Sequence, residues 1–175
     1  GLINLGIGTF LSVTGSVTVG HVGGGELILN SQAVATIGNG LSIGSFAGGA
    51  GAVVVSGAQS ELDVTGLTVV GVGPTISTGS LTVRNQGKAE LHGNLHVDHF
   101  KPDPNDAAVF LSSSGLLDVD GDIVIGVFGP ADMIVTSAGV ECTDLTVGGG
   151  VVGASGLLVL EPQALMYIED GQIGG

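Results

Sequence analysis

The feature that most constrains this chain is a triplet of the form aliphatic–x–aliphatic that returns every 22 to 28 residues. Within each triplet, the alternation has the two-residue period of a strand with one buried face. A pattern that recurs at a near-constant interval indicates a repeat architecture. The first triplets of successive repeats are Val17–Val19, Leu41–Ile43, Leu67–Val69, Leu95–Val97, Ile123–Ile125 and Leu145–Val147.

Each repeat contains two further triplets of the same kind, so three short strands are predicted per repeat. The second strands are Leu27–Leu29, Val53–Val55, Leu81–Val83, Val109–Leu111, Met133–Val135 and Leu157–Val159. The third strands are Ala35–Ile37, Leu62–Val64, Ala89–Leu91, Leu117–Val119, Val140–Cys142 and a strand of unassigned register within Leu165–Ile168. Residues 2–16 are predicted to be an incomplete leading repeat whose last strand is Leu11–Val13.

Three short strands per repeat predict an all-β chain folded as a parallel β-helix, or β-solenoid, with roughly seven stacked coils. We expect residues 1–175 to form a single β-solenoid domain whose coils start near residues 17, 41, 67, 95, 123 and 145. Because the pattern is already under way at both ends, we expect the chain to be a fragment of a longer one. An antiparallel β-sandwich is the structural alternative, but the two-residue hairpin signals that it needs are scarce.

Composition limits the partners of such a rod. The chain has 16 Asp+Glu against 3 Lys+Arg, a formal net charge of −13. An acidic surface repels phosphate, so nucleic acid is not an expected partner. No apolar run reaches transmembrane length, so membrane insertion is not expected either. The single cysteine, Cys142, falls at a predicted inward position and is interpreted as an inert core thiol.

The middle residues of the triplets are predicted to point outward and to form three exterior columns with different chemistry. On the first strands the column is mostly hydroxylic: Thr18, Ser42, Thr68, His96, Val124 and Thr146. On the third strands it is mainly acidic: Thr36, Asp63, Glu90, Asp118 and Glu141. On the second strands it is mainly apolar: Ile28, Val54, Thr82, Phe110, Ile134 and Leu158.

An exposed apolar column along a rod indicates a contact surface, so we predict that the column of the second strands is a partner interface. Two alternatives stay open. Another segment of the chain covers the column, or the assumed register is displaced by one residue.

The acidic residues supply the candidates for a metal site. Asp118, Asp120 and Asp122 are expected on one face of an extended segment, with Glu90 one coil away. Closely spaced carboxylates suit Ca²⁺, although the sequence lacks the EF-hand loop pattern and a solvated acidic face explains the same residues. These four residues are candidate Ca²⁺ ligands, and no other cofactor is expected.

Three histidines around the fourth coil, His92, His96 and His99, raise the question of a transition-metal site. His96 and Asp98 are predicted to share the outer face, whereas His92 belongs to the preceding coil. Because no second cluster completes a coordination geometry, surface histidines are the favoured interpretation. Residues 99–106 belong to the most elaborate of the variable corners between first and second strands, where repeat proteins collect insertions.

Three segments each begin with a glycine that is followed by strand residues: Gly66–Val69, Gly79–Val83 and Gly87–Leu91. They resemble the strand repeats of autotransporter passenger domains, and they are equally similar to the Gly-rich repeats of bacterial surface proteins with a C-terminal sorting signal. The resemblance implies a secreted or surface-displayed rod. It carries over no functional residue.

Two classes of function follow from these features. The leading hypothesis is a non-enzymatic structural or adhesive β-solenoid segment of a secreted or cell-surface protein. It would associate laterally, with itself or with a neighbouring segment of a longer chain, to form a fibre or an oligomer. The alternative is a carbohydrate-acting parallel β-helix enzyme or a glycan-binding module. Sugar sites use aromatic platforms, basic groups or paired acids, whereas this chain has one Tyr, no Trp and 3 Lys+Arg.

Overall fold

A computed structural model describes residues 1–71, 77–98, 107–126, 129–148 and 155–169 of the chain. The predicted variable corner 99–106 lies outside the described residues. In the described part the chain forms twenty short strands and no helix. No described segment is therefore a helix long enough and apolar enough to cross a membrane.

The strands are sorted into three parallel sheets, named sheets A, B and C. Sheet A contains β1 (Leu2–Leu5), β4 (Gly23–Asn30), β7 (Gly49–Ser56), β10 (Thr78–Arg84), β13 (Ala107–Ser112), β16 (Pro130–Thr136) and β19 (Ser155–Leu160). Sheet B contains β2 (Phe10–Val13), β5 (Val34–Ile37), β8 (Glu61–Val64), β11 (Lys88–Leu91), β14 (Leu116–Val119), β17 (Gly139–Cys142) and β20 (Leu165–Ile168). Sheet C contains β3 (Val17–Val19), β6 (Leu41–Ile43), β9 (Thr68–Val70), β12 (Leu95–Val97), β15 (Ile123–Ile125) and β18 (Leu145–Val147).

Each strand pairs in parallel with the strand three places further along the chain. This arrangement confirms the predicted β-solenoid with three strands per coil, and it excludes the antiparallel sandwich. Sheets A and B have seven strands each and sheet C has six. The predicted leading repeat is β1 and β2, which belong to sheets A and B.

The core is a set of aliphatic columns that run along the rod. In sheet A one inward column contains Leu29, Val55, Val83, Leu111 and Val135, all at most 1% exposed. Burying one such side chain contributes roughly 1.5–3 kcal/mol, and every coil repeats the contribution. The predicted inward position of the cysteine is confirmed, because its thiol lies in the equivalent column of sheet B and is buried.

Left-handed residues turn the chain from sheet A to sheet B. Asn85 and Gln86 have φ values of 54° and 66°, and Ser113 and Ser114, one coil later, have 52° and 63°. Non-glycine residues rarely adopt this conformation, and Asn is among those that tolerate it best. Asn85 also donates a hydrogen bond of 3.1 Å from Nδ2 to Oγ of Ser56 in the preceding coil. The stacking of one corner on another therefore helps to hold the left-handed backbone.

Glycine follows five of the six strands of sheet C, at the point where the chain turns towards sheet A. Gly44 has φ 67°, and a Cβ atom there would collide with the carbonyl group of Thr78. Equivalent glycines follow other strands of sheet C, at Gly20, Gly71, Gly126 and Gly148, and all have positive φ. At Gly20, Gly44 and Gly126 the backbone of the next coil thus approaches too closely for a side chain.

Asp98 occupies the matching place after β12, and this contradicts the prediction that it shares an outer face with His96. Its amide donates to the carbonyl of Val70, as the amide of Gly71 donates to that of Ile43. Asp98 is only 2% exposed. The strand alternation suggested an exposed side chain, but the strand ends at Val97, and the alternation does not set the burial of a residue beyond the strand.

The register of β9 also differs from the prediction. Thr68 pairs with Leu41 and Leu95 and is fully buried, whereas Leu67 is exposed. Val69, not Thr68, is therefore the outward residue of this coil. Five of the six corners between sheets B and C contain three residues, including 65–67. The corner length, rather than the greater hydrophobicity of Leu67, sets which residues enter the core.

The last coil shows the same kind of one-residue shift. Leu158 pairs with Met133, which is buried, and Val159 pairs with the outward residue Ile134. Leu158 therefore lies on the inward side, packed against the core, and its predicted place in the partner interface is wrong. The ladder with β16 decides the register, because a slip of one residue exchanges the two faces of a strand.

The buried hydroxyl of Thr68 yields a stability prediction. Its Oγ1 is fully buried and has no hydrogen-bond partner, and an unsatisfied buried hydroxyl costs about 1–3 kcal/mol. We expect Thr68→Val to raise the free energy of unfolding by about 1 kcal/mol, as measured by chemical denaturation. Thr68→Ser keeps the hydroxyl, loses a methyl group and is expected to destabilise. A stability for Thr68→Val below that of the parent would show that the hydroxyl is satisfied in solution.

Candidate interaction surfaces

The three outer walls of the rod differ in chemistry, as predicted. Sheet A carries the predicted central apolar column, but its last member is Val159 instead of Leu158. We call this column the apolar stripe, and its members are Ile28, Val54, Thr82, Phe110, Ile134 and Val159. Phe110 is the most exposed member, at 40%, and the other members are half-buried. Five of the six predicted interface residues therefore lie on one continuous outer surface.

The wall around the apolar stripe carries little charge. In the strands of sheet A, the charged residues are Glu26, Arg84 and Asp132. Small residues dominate the neighbouring outward positions, and a groove of about 480 Å³ runs along them beside Ala52 and Ser80. The wall is consequently broad, low in charge and open to close approach.

Sheet B carries the acidic column, and a lysine at its centre compensates part of the charge. Nζ of Lys88 is hydrogen-bonded to the carboxylate of Glu90 and lies 3.8 Å from Oδ2 of Asp118 in the next coil. The bond to Glu90 raises the pKa of Lys88 and lowers that of Glu90. Burial, followed by the neighbouring Glu90 carboxylate, raises the pKa of Glu61. One ammonium group thus contacts carboxylates of two successive coils.

A histidine next to this column links three coils. His92 follows β11 directly, and its Nδ1 donates a 2.7 Å hydrogen bond to Oδ2 of Asp120 in the following coil. Its Nε2 lies 3.4 Å from Oδ1 of Asp63 in the preceding coil, at ion-pair distance but without hydrogen-bond geometry. The bond to Asp120 is the main cause of the raised pKa of His92.

The four candidate Ca²⁺ ligands are not brought together. Glu90 and Asp118 are neighbours on sheet B, as expected, but Lys88 already contacts both. Asp120 accepts the hydrogen bond from the imidazole of His92, and Asp122 directly precedes a strand of sheet C. Asp118 and Asp120 line one surface cavity beside sheet B, but Asp122 lies at the far end of the turn between the two sheets, so the prediction of a shared face is wrong for Asp122.

Across the described ranges, no group of three or more His, Cys, Asp or Glu side chains is gathered closely enough to hold a metal ion. Of the histidines considered for a transition metal, His96 lies on sheet C, whereas the imidazole of His92 is engaged on sheet B. The remaining histidine, residue 99, lies outside the described residues.

Sheet C presents the narrowest wall. Its strands have three residues, so each strand directs one side chain outward. The outward residues are Thr18, Ser42, Val69, His96, Val124 and Thr146. Their mixed character differs from the continuous apolar stripe of sheet A.

Sequence reasoning missed the three-coil contact of His92. The interpretation of the histidines looked for metal ligands close together in sequence, whereas the partners lie one repeat away on either side. A usable signal was present, because Asp63, His92 and Asp120 follow each other at 29 and 28 residues, close to one repeat. Residues at that spacing become neighbours when coils stack.

Comparisons with protein-family models, with curated proteins and with solved structures found no match to this chain. The fold therefore defines the class to which it belongs. The protein is an all-β repeat protein of the β-solenoid class, and its autotransporter-like features stay a sequence-based expectation.

The contact of His92 makes stability depend on pH. Because the pKa of His92 is raised in the folded chain, its contribution is full below the unfolded pKa of about 6.5 and is lost as pH rises through the folded pKa. His92→Gln is therefore expected to lower the unfolding free energy more at pH 5.5 than at pH 8.5. The side chain is 44% exposed, so we expect a difference of a few tenths of a kcal/mol.

Denaturant titrations at both pH values measure this difference, and His96→Gln on sheet C is the matched control. An equal loss of stability for His92→Gln at both pH values would contradict the ionic link between coils.

Proposed function

We propose that this chain is a structural β-solenoid segment of a secreted or cell-surface protein, and that it associates laterally through the apolar stripe to build an oligomer or a fibre. The observation that carries the proposal is the stripe itself. It follows the rod from β4 to β19 on one wall and includes the exposed ring of Phe110. Contiguous exposed apolar surface of this kind is typical of interaction sites.

The low charge of the same wall supports lateral contact. Charged groups at the centre of an interface lose hydration when they are buried. Sheet A keeps its three charged residues, Glu26, Arg84 and Asp132, off the central column. The carboxylates are concentrated on sheet B instead, where they favour solubility of the assembled rod.

A structural rather than catalytic role is supported by the state of the acidic wall. A pair of carboxylates in glycoside hydrolysis needs room for a sugar between a general acid and its partner. Here the carboxylate of Glu90 is held by Lys88, and that of Asp120 is held by His92. The acidic composition and the repeat resemblance support a place outside the cell.

Ile134→Asp tests the proposal. Ile134 points outward between the inward residues Met133 and Val135, so the substitution leaves the core intact. We expect the dissociation constant of the assembly to rise by more than about 100-fold, because burying an unpaired carboxylate in an apolar contact costs about 3 kcal/mol or more. Sedimentation velocity at several concentrations measures the change.

Ser42→Asp, which adds the same charge to sheet C, is the matched control and is expected to leave association unchanged. Denaturation of both variants verifies that the rod is folded. Equal association of Ile134→Asp and the parent would show that the apolar stripe is not part of the contact.

A further inference from the structure

We infer that the partner of the apolar stripe is one second copy of this chain, packed face to face, and that the assembly closes at two copies. The inference rests on the proposed lateral association and narrows it from a fibre or oligomer of any size to a symmetric dimer. It names a partner, a stoichiometry and the strand nearest the symmetry axis.

The number of apolar walls sets the number of copies. In the described part of the chain, the continuous apolar column belongs to sheet A alone, and it lies on one side of a three-sided rod. When two such walls face each other, both stripes are covered. A symmetric contact of this type uses the same patch on both partners and leaves no equivalent patch for a third copy.

The other two walls are poorly suited to extend the assembly. The outward column of sheet B carries carboxylates in four successive coils, namely Asp63, Glu90, Asp118 and Glu141. Two such walls in contact would place like charges opposite each other, which is unfavourable. Sheet C offers one outward side chain per strand, so its wall is too narrow to bury much area.

The area of sheet A fits a dimer. Seven strands at about 4.8 Å spacing and about six residues in length span a face of roughly 30 by 20 Å. The flat area is therefore roughly 600 Å² per copy, near the lower end of the interfaces of stable complexes, which bury about 600–1,000 Å² per partner. Side-chain relief, including the ring of Phe110 and the groove beside Ala52, adds to the flat value.

The central strand identifies the residue closest to the symmetry axis. β10 is the fourth of the seven strands of sheet A, and Thr82 is its member of the apolar stripe. If the stripes are centred on each other, Thr82 faces Thr82 of the second copy whether the rods run parallel or antiparallel. At this point the hydroxyl of Thr82 can pair with the hydroxyl of its counterpart.

Cysteine cross-linking combined with sedimentation tests the inference. We expect the parent chain to reach a dimer that does not grow further with concentration, and Thr82→Cys to form a disulfide-linked dimer under mild oxidation. Ser42→Cys on sheet C and Thr36→Cys on sheet B are matched controls and are expected to stay uncrosslinked. The native Cys142 gives no background, since burial raises its pKa to about 11 and it is not exposed.

The outcomes separate this inference from the proposed function. Growth beyond the dimer would overturn closure while leaving lateral association intact. A dimer that cross-links through sheet B or sheet C, or that fails to cross-link at Thr82, would overturn face-to-face packing. A monomer at all concentrations would overturn both proposals and would indicate that a different chain covers the apolar stripe.

Discussion

The parallel backbone ladder between successive coils is the constraint on which the rest of this structure depends. Each strand pairs with the strand three places later, so every residue lies directly over its counterpart in the preceding coil. Coil spacing is then the strand spacing of about 4.8 Å. A one-residue slip in any coil would exchange its inner and outer faces. The ladder therefore converts a repeating sequence into columns, each with one position relative to core and solvent.

The corners maintain this alignment. Between sheets A and B, stacked left-handed residues such as Asn85 and Gln86 turn the chain in a conformation that neighbouring coils repeat. Between sheets C and A, a glycine such as Gly44 permits a backbone approach that a side chain would block. The three-residue corners between sheets B and C keep the distance from one strand to the next nearly constant. The corners between sheets A and B and between sheets B and C thus hold the strands in register, while the length of the chain varies mostly in the corner between sheets C and A.

Stacking also repeats one kind of side chain at the same position in successive coils, which can be favourable or unfavourable. A column of carboxylates places like charges about 5 Å apart, and the chain offsets this repulsion with Lys88 and His92, each of which contacts two coils. A column of aliphatic residues instead accumulates apolar area with every coil. The same stacking that requires compensation on sheet B creates a continuous contact surface on sheet A. The difference between these walls is the physical basis of the proposed assembly.

The sequence by itself determined the β-solenoid, its three strands per coil and the chemistry of most outer columns. It could do so because an alternating pattern at a steady interval has few folding solutions. It placed Ile28, Val54, Phe110 and Ile134 correctly on the outside. It failed where corner length, rather than hydrophobicity, set the register, as at Thr68.

Tertiary structure alone decided that Thr68 enters the core, that Leu158 turns inward and that Asp98 is buried. It also brought His92 between Asp63 and Asp120, which are distant in sequence. For Thr68 and Leu158 the reason is the same. Local hydrophobicity indicates which residues prefer burial, whereas the corner lengths and the ladder to neighbouring coils determine which residues occupy the inward positions.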